Sequence, residues 1–240
     1  SKVKHVMQKD PISVHVDTPL DEVAQIIEKY DLVAIPVLDS IGRLVGQITV
    51  DDVMDEVREQ SERDYQLASG LSQDVETDDN VFRQTTARLP WLIIGMLGGI
   101  GNSMILGNFD ATFAAHPEMA LYIPLIGGTG GNVGTQSSAL IVQGLANSSL
   151  DSKNTLKQVA KEAVVALINA TIISLLVYTY NFIRFGAMAT VTYSVSISLF
   201  AVVMFASIFG TLVPMTLERL KIDPAIATGP FIAITNDIIG

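Results

Sequence analysis

Three groups of polar residues in this 240-residue chain have the chemistry to bind a cation. Asp237 lies 13 residues after Pro224 in an apolar segment. Glycines and polar side chains interrupt a second apolar segment in "GGTGGNVGTQSS", residues 127–138. Five carboxylates recur every three or four residues further upstream: Asp52, Asp55, Glu56, Glu59 and Glu62. Because Mg²⁺ binds one or two carboxylates together with neutral oxygens and water, each group is a candidate divalent-cation site.

Asp237 is the predicted central cation ligand. A carboxylate at the middle of a membrane span costs on the order of 2.5–3.5 kcal/mol and is a functional site by default. The other predicted spans contain no Lys or Arg to neutralise it, so a cation is its natural partner. Asp223 precedes the same segment and is predicted to lie at the cytoplasmic mouth.

The glycine-rich stretch is predicted to face either an aqueous path or a close helix contact. Small residues allow helices to approach each other, and polar side chains are costly in hydrocarbon unless they are paired. Helix packing alone explains the glycines but explains the polar side chains less well. The predicted pore-lining residues are Gly130, Gly131, Asn132, Thr135 and Gln136.

The five upstream carboxylates share one face of a predicted helix. Like charges at this spacing destabilise a helix by roughly 0.2–0.5 kcal/mol per pair, and a bound divalent cation would reverse the sign of that contribution. The alternative is a solvated charged face, as in most charge runs.

Composition separates a charged first part from an apolar second part. The chain carries a net charge of −10 although 49% of its residues are hydrophobic, and its charged residues concentrate in residues 1–90. Predicted membrane spans cover about 89–107, 119–146, 163–183, 195–215 and 224–240. The last has 17 residues, whereas a span needs about 20, so we expect the natural protein to continue past Gly240.

The charge balance limits the partners and sets the orientation. Acidity argues against nucleic acid and anionic lipid and favours cations, and the absence of cysteine excludes disulfides. Basic residues cluster on one side of the predicted spans, which places the N-terminal part in the cytoplasm; they are Arg83, Arg88, Lys153, Lys157, Lys161, Arg219 and Lys221. The opposite side has Arg184.

The first 57 residues are predicted to fold in the order β-α-β-β-α, with Thr18 capping the first helix. Residues 6–57 resemble one CBS motif over its full length. "GQITVDD" matches the G-x-x-T-x-x-D pattern of that family at Gly46, Thr49 and Asp52. The resemblance implies pairing with a second CBS motif and an adenine nucleotide such as ATP at these positions. The alternative is that Thr49 and Asp52 cap the following helix.

Three further stretches together resemble the MgtE family of Mg²⁺ channels: "RLPWLIIG", "PLIGGTGGNVGTQSSALIVQGLA" and "DPAIATGPFIAITND". The resemblance implies a homodimer with the pore along the dimer axis. It also implies CBS domains that bind Mg²⁺ and a connecting helix that closes the pore when Mg²⁺ is plentiful. The family's pore carboxylate falls on Asp237, its pore-lining stretch on Gly130, Gly131 and Asn132, and its connecting helix on residues 52–68. Family members usually carry an N-terminal acidic helical domain and two CBS motifs, so this sequence matches a fragment.

The predicted fold is mixed: a small α/β CBS motif is followed by an all-α polytopic membrane domain of about five helices, the last one truncated. The predicted domains are a cytosolic CBS motif at 1–57, an acidic connecting helix with its linker at 52–88, and a transmembrane pore domain at 89–240.

The predicted function is a multi-pass Mg²⁺ channel or transporter of the cell membrane, homodimeric and not an enzyme, with Mg²⁺ as both substrate and regulator. Alternatives are a transporter of another divalent cation, such as Mn²⁺ or Co²⁺, and a CBS-regulated anion channel. An anion channel would need basic groups or helix N-termini at the pore centre. An intramembrane enzyme is disfavoured because the predicted spans contain no nucleophile-base pair and His5, His15 and His116 lie outside them.

Overall fold

The computed structural model describes residues 11–146, 155–186, 189–227 and 229–239. The chain divides into two compact units, Ser1–Arg63 and Asp64–Gly240. Lys153 and the first ten residues of the predicted CBS motif lie outside the described residues. The domain boundaries at residues 57 and 89 stay predictions.

The first unit has the predicted β-α-β-β-α order. Its elements are β1 (Val14–His15), α1 (Leu20–Tyr30), β2 (Ala34–Leu38), β3 (Leu44–Thr49) and the beginning of α2 (Val50–Ala68). Strand β1 is parallel to β2, and β2 is antiparallel to β3. The core consists of apolar residues from all but one of these elements, namely Val14, Val23, Ile27, Ile35 and Val53.

Two short turns show how polar side chains shape this unit. Asp39 Oδ1 accepts hydrogen bonds from the backbone N–H groups of Ile41 and Arg43, at 3.1 and 2.8 Å, and closes the β2–β3 hairpin. Gly42 has φ +79°, which a glycine adopts at no steric cost. The prediction that Thr18 caps α1 is wrong: Pro19 holds the N-cap position. Thr18 Oγ1 instead accepts a hydrogen bond from the N–H of His15, at 3.0 Å.

The second unit is helical. Its helices are α3 (Val81–Leu106), α4 (Asp110–Ala115), α5 (Ile123–Ala146), α6 (Thr155–Phe185), α7 (Thr190–Arg219) and α8 (Gly229–Ile239). Short 3₁₀ turns lie at Gly107–Phe109, Pro117–Tyr122 and Pro224–Ala227. Asn80 caps α3 by accepting a hydrogen bond from the N–H of Arg83, at 2.9 Å.

Helix α7 is the centre of this unit. It packs against both α5 and α6, while α8 packs against α5 and α3. Many α7 side chains are buried, including Leu199, Val203 and Ala206. The predicted pore residues lie on α5 and α8. Helix α7 contacts α5 extensively and α8 more sparingly, so it fixes the position of α5 more than that of α8.

Within the described residues, three stretches are long and apolar enough to cross a membrane: Val81–Ala115, Leu156–Phe185 and Thr190–Arg219. Two other predicted spans correspond to α5 and α8. Helix α5 has 24 residues with a glycine-rich centre, and α8 has 11 residues. The chain thus has a small mixed sheet followed in sequence by a mainly helical domain.

Candidate cation site

Helices α5 and α8 meet through the glycines of the stretch 127–138. A Cβ at Gly134 would lie 2.5 Å from both Asn236 Nδ2 and Ile232 Cγ2. A Cβ at Gly131 would lie 3.8 Å from the Cα of Ala233. Glycine is used here because the backbone of α5 approaches side chains and backbone of α8. The glycines thus form a close helix contact, which was one of the two predicted environments.

Asn236 is the polar anchor of this contact. It is fully buried, and its Nδ2 donates a hydrogen bond to the backbone oxygen of Gly130, at 3.1 Å. Its Oδ1 has no hydrogen-bond partner among the described residues. The carbonyl oxygen of Gly130 has two lone pairs, so it can accept this hydrogen bond in addition to its own helical one. The Asn236 side chain therefore fixes the position of α8 against α5 without breaking either helix.

Asp237 follows Asn236 and points away from the buried interface. A Cβ at Gly127 would lie 3.1 Å from Asp237 Oδ1, which places the carboxylate beside the first part of the α5 glycine stretch. The residue is exposed in the single chain. A carboxylate on an apolar helix of a membrane protein requires water, a cation or a partner at this surface.

The other predicted pore-lining residues divide into two groups. Gly130 is buried: a Cβ there would lie 2.6 Å from Val202 Cγ1 of α7. Asn132 and Gln136 are exposed and are four residues apart, so they share one face of α5. Thr135 is partly exposed. Asn132 and Gln136 are therefore not used to pack α5 against α7 and α8.

A second polar cluster, absent from the sequence prediction, joins α5, α6 and α7. Ser137 Oγ donates to Glu162 Oε1 at 2.6 Å, and Ser207 Oγ donates to the same oxygen. Sequence reasoning missed Asn236, Glu162 and Ser207. The available signal for Asn236 was its position next to Asp237 in "TND". Glu162 follows Lys161, and a charged pair at this position is typical of the end of a membrane span at the interface.

Asp223 lies at the opposite end of the α8 segment from Asp237. Its Oδ1 accepts a hydrogen bond from the N–H of Ala225 at 2.8 Å and so stabilises the 3₁₀ turn before α8. The start of α8 also contacts the end of α2. A Cβ at Gly229 would overlap the backbone oxygen of Ala68, and one at Gly70 would lie 2.7 Å from Pro230 Cγ.

Most carboxylates of the predicted acidic face have partners on α2 itself. Arg63 lies 3.1 Å from a Glu56 oxygen and 3.5 Å from a Glu59 oxygen, and Arg58 lies 3.0 Å from a Glu62 oxygen. These pairs are solvent-exposed and contribute little stability each. They reduce the mutual repulsion expected from the sequence.

Thr49 and Asp52 form a reciprocal cap at the start of α2. Asp52 Oδ2 accepts hydrogen bonds from Thr49 Oγ1 and from Thr49 N, at 2.5 and 3.0 Å. These hydrogen bonds stabilise the carboxylate and lower the pKa of Asp52 below its ordinary value. Gly46 is exposed on β3. The geometry matches the capping alternative.

Among the described residues, no three His, Asp or Glu side chains lie close enough together to hold a metal ion. Within the second unit, the structure brings Asp237 close to Gly127 of α5. One carboxylate with neutral oxygens and water is a donor set that suits hydrated Mg²⁺.

Comparison with known proteins gives matches along almost the whole chain. The model of the MgtE family, described as divalent cation transporter, matches residues 123–240, and the CBS domain model matches residues 3–59. Magnesium transporter MgtE of Bacillus subtilis (strain 168) is 33% identical over 238 residues, covering 99% of this chain and 52% of the relative. The protein of the same name from Thermus thermophilus is 33% identical over 246 residues, covering 100% of this chain and 53% of the relative.

A third relative, magnesium transporter MgtE of Enterococcus faecalis, is 30% identical over 242 residues, covering 98% of this chain and 52% of the relative. The chain spans about half the length of the curated relatives it matches. The two domain models match in the order CBS then MgtE, as the three sequence motifs and the fold require. The chain therefore carries a domain of the MgtE family, preceded by a CBS domain.

Proposed function

We propose that this chain supplies the CBS motif and the ion-conducting helices of a magnesium transporter. The proposal is supported by the family match and by three relatives named as magnesium transporters. Transport of an ion across a membrane needs no enzyme chemistry, and the relatives are named as transporters. Mg²⁺ is the proposed substrate.

The observation that carries the proposal is the opposite placement of Asn236 and Asp237. Asn236 is buried and hydrogen-bonded to Gly130, which fixes α8 against α5. Asp237 is exposed on the same helix, beside Gly127. A carboxylate that is held in place on an apolar helix, but is not neutralised by a neighbouring base, is suited to attract a cation.

A second copy of the chain would complete the ion path. Asp237, Asn132 and Gln136 are all exposed in the single chain, although exposure to lipid would be costly. In a homodimer with these faces towards the axis, two carboxylates and four amide side chains would surround one path. Hydrated Mg²⁺ keeps several waters and is bound by one or two carboxylates, so this donor set fits it.

Other divalent cations are the second candidate. Mn²⁺ and Co²⁺ also accept carboxylate and water ligands, and the arrangement of oxygens does not by itself select Mg²⁺. An anion path is disfavoured, since Asp237 supplies a negative charge where an anion channel requires positive groups.

Mg²⁺ flux into proteoliposomes tests the proposal. Asp237→Asn keeps the volume and hydrogen-bonding capacity of the side chain but removes its charge, so we expect at least about a tenfold loss of flux, the effect of roughly 1.4 kcal/mol. Glu118→Gln, in the 3₁₀ turn before α5, is the matched control and should transport like the unmodified protein. Parallel assays with Mn²⁺, Co²⁺ and chloride define the selectivity. Full Mg²⁺ flux in Asp237→Asn would rule out the assigned role of Asp237.

Mg²⁺ is also the proposed regulator, acting on the acidic face of α2. Millimolar Mg²⁺ would bridge carboxylates of this face and those of a dimer mate. The contact between Ala68 and Gly229 gives the end of α2 a direct route to the helix that carries Asp237. We place the CBS motif in the cytoplasm of a multi-pass cell-membrane protein, as the distribution of basic residues favours.

ATP binding at Gly46, Thr49 and Asp52 is not favoured, because the Thr49 hydroxyl and the Asp52 carboxylate already bind each other.

A further inference from the structure

Glu162 of α6 holds together two other helices through a single oxygen atom. Its Oε1 accepts a hydrogen bond from Ser137 Oγ of α5, at 2.6 Å, and another from Ser207 Oγ of α7. The two serine oxygens are 3.0 Å apart, and both serines are buried, with 4% and 2% of their surface exposed. The three side chains therefore form a compact cluster at the junction of three helices.

The cluster lies next to the closest approach of α5 and α7. A Cβ at Gly210 would lie 3.2 Å from the Cα of Gly134 and 3.1 Å from its carbonyl carbon, so the two backbones are nearly in contact there. Ser137 follows Gly134 by three residues, and Ser207 precedes Gly210 by three residues. One helical turn from the crossing, the two serines face each other, and Glu162 adds α6 to this pair of helices.

In the part of the chain that the structure describes, this carboxylate is bound by hydroxyl groups and forms no ion pair. None of the ion pairs found among the described residues includes Glu162. Its neighbour Lys161 is exposed. Hydrogen bonds from hydroxyls to a carboxylate are about twice as strong as those between neutral groups, so two of them on one partly buried carboxylate constrain the positions of both serines.

We propose that Glu162 is a positioning residue for ion permeation: it fixes α5 against α6 and α7 so that Asn132 and Gln136 are presented to the ion path. Gln136 directly precedes Ser137 in the chain. The two neighbours point to different sides of α5, with Ser137 buried and Gln136 exposed. Holding Ser137 therefore sets the rotation of α5 that exposes Gln136. This proposal rests on the proposed transport function.

The rescue of function by a neutral isostere is the central test. Glu162→Ala removes the shared acceptor. Each hydrogen bond to a charged group shifts the equilibrium towards the packed arrangement by roughly tenfold or more. We therefore expect Mg²⁺ flux per inserted protein to fall roughly tenfold or more. Glu162→Gln keeps Oε1 as an acceptor for both hydroxyls, so its flux should stay within about threefold of the unmodified protein. Ser137→Ala and Ser207→Ala each remove one donor and should give intermediate losses.

Two matched controls separate this effect from general perturbation of the membrane domain. Lys161→Ala removes the charge that adjoins Glu162 on α6. Ser174→Ala removes a buried hydroxyl of α6 that has no hydrogen-bond partner among the described residues. Both should keep flux within about twofold of the unmodified protein.

A distance measurement makes the test independent of transport. The chain has no cysteine, so spin labels can be attached at Leu140→Cys on α5 and Leu167→Cys on α6, two exposed positions. Dilution with unlabelled protein suppresses distances between subunits. We expect Glu162→Ala to shift or broaden the α5–α6 distance distribution and Glu162→Gln to leave it unchanged.

The outcomes are distinct. Equal losses in Glu162→Ala and Glu162→Gln would show that the charge itself is required and would overturn the positioning role. Unchanged flux and distances in Glu162→Ala would also overturn it. If the unmodified protein moved no Mg²⁺ while the distances responded as expected, the transport function would fail and the placement of α5 by Glu162 would stand. Should Glu162→Ala fail to insert, the two serine variants carry the same test.

Discussion

The crossing of α5 and α7 predicts a large effect from the smallest possible substitution, Gly210→Ala. An added Cβ would lie 3.1 Å from the carbonyl carbon of Gly134, 3.2 Å from its Cα and closer still to its oxygen. All three atoms belong to helix backbone and have no rotamer to adopt. Carbon atoms pack best at about 3.5–4.0 Å, so the helices must separate by several tenths of an ångström to about 1 Å.

The size of the effect follows from this separation. Overpacking of this kind costs roughly 1–3 kcal/mol. The hydrogen bonds from Ser137 and Ser207 to Glu162 would lengthen as well, which costs about 0.5–1.5 kcal/mol more. Replacing glycine by alanine in a helix returns up to about 1 kcal/mol of helix propensity. The expected net loss in the free energy of unfolding is therefore about 1–3 kcal/mol.

Equilibrium unfolding in mixed detergent micelles, followed by circular dichroism, measures this loss. Gly99→Ala on α3 is the control, because a Cβ there meets no atom within 4 Å and should be neutral or stabilising by up to about 1 kcal/mol. Gly210→Ala should also lower Mg²⁺ flux, since Glu162 and both serines depend on the same crossing. If Gly210→Ala were as stable as Gly99→Ala, the close contact of α5 with α7 would be wrong.

Two predictions concern the first unit. Hydrogen bonds from Thr49 lower the pKa of Asp52, so the cap is fully stabilising above the ordinary Asp pKa of about 3.9 and is lost as the pH falls through the lowered folded-state pKa. Asp52→Asn should therefore be less stable than the unmodified protein at neutral pH and should lose less stability on acidification. Thermal unfolding from about pH 6 to pH 3 measures both effects. Neutralising three carboxylates of α2 should flatten the inhibition of current by internal Mg²⁺ while conduction persists, in patch recordings on the combined variant Asp55→Asn, Glu59→Gln and Glu62→Gln. An acid response in Asp52→Asn like that of the unmodified protein, or an unchanged inhibition curve in the triple variant, would contradict the respective assignment.

The order of elements was predictable because its signals are local. The predicted order β-α-β-β-α included the two consecutive strands β2 and β3, whose hairpin Gly42 and Asp39 close. The apolar segments predicted the positions of the long helices. Thr18 was misassigned because a threonine before an apolar-periodic segment has two competing local partners, and here its hydroxyl binds His15 instead of the helix terminus.

The contacts between helices were not predictable in the same way, because they depend on which faces meet. The sequence shows that 127–138 is rich in glycine and polar residues, but only the packing of α5 distinguishes Gly130, which faces Val202, from Asn132, which is exposed. Glu162 and Ser207 are 45 residues apart, and neither belongs to a recognisable motif. Their pairing arises from the close approach of α5 and α7 at Gly134 and Gly210.

The polar residues of the membrane helices thus fall into two classes with opposite consequences. Asn236, Ser137 and Ser207 are buried and bind groups within the chain, so their cost in hydrocarbon is offset by hydrogen bonds that fix helix positions. Asp237 and Gln136 are exposed, and in a lone chain facing lipid that cost would not be offset. Since each exposed member directly neighbours a buried one in sequence, rigid internal contacts determine where the exposed groups point. That arrangement favours a surface whose polar groups are completed by water, a cation and a second copy of the chain.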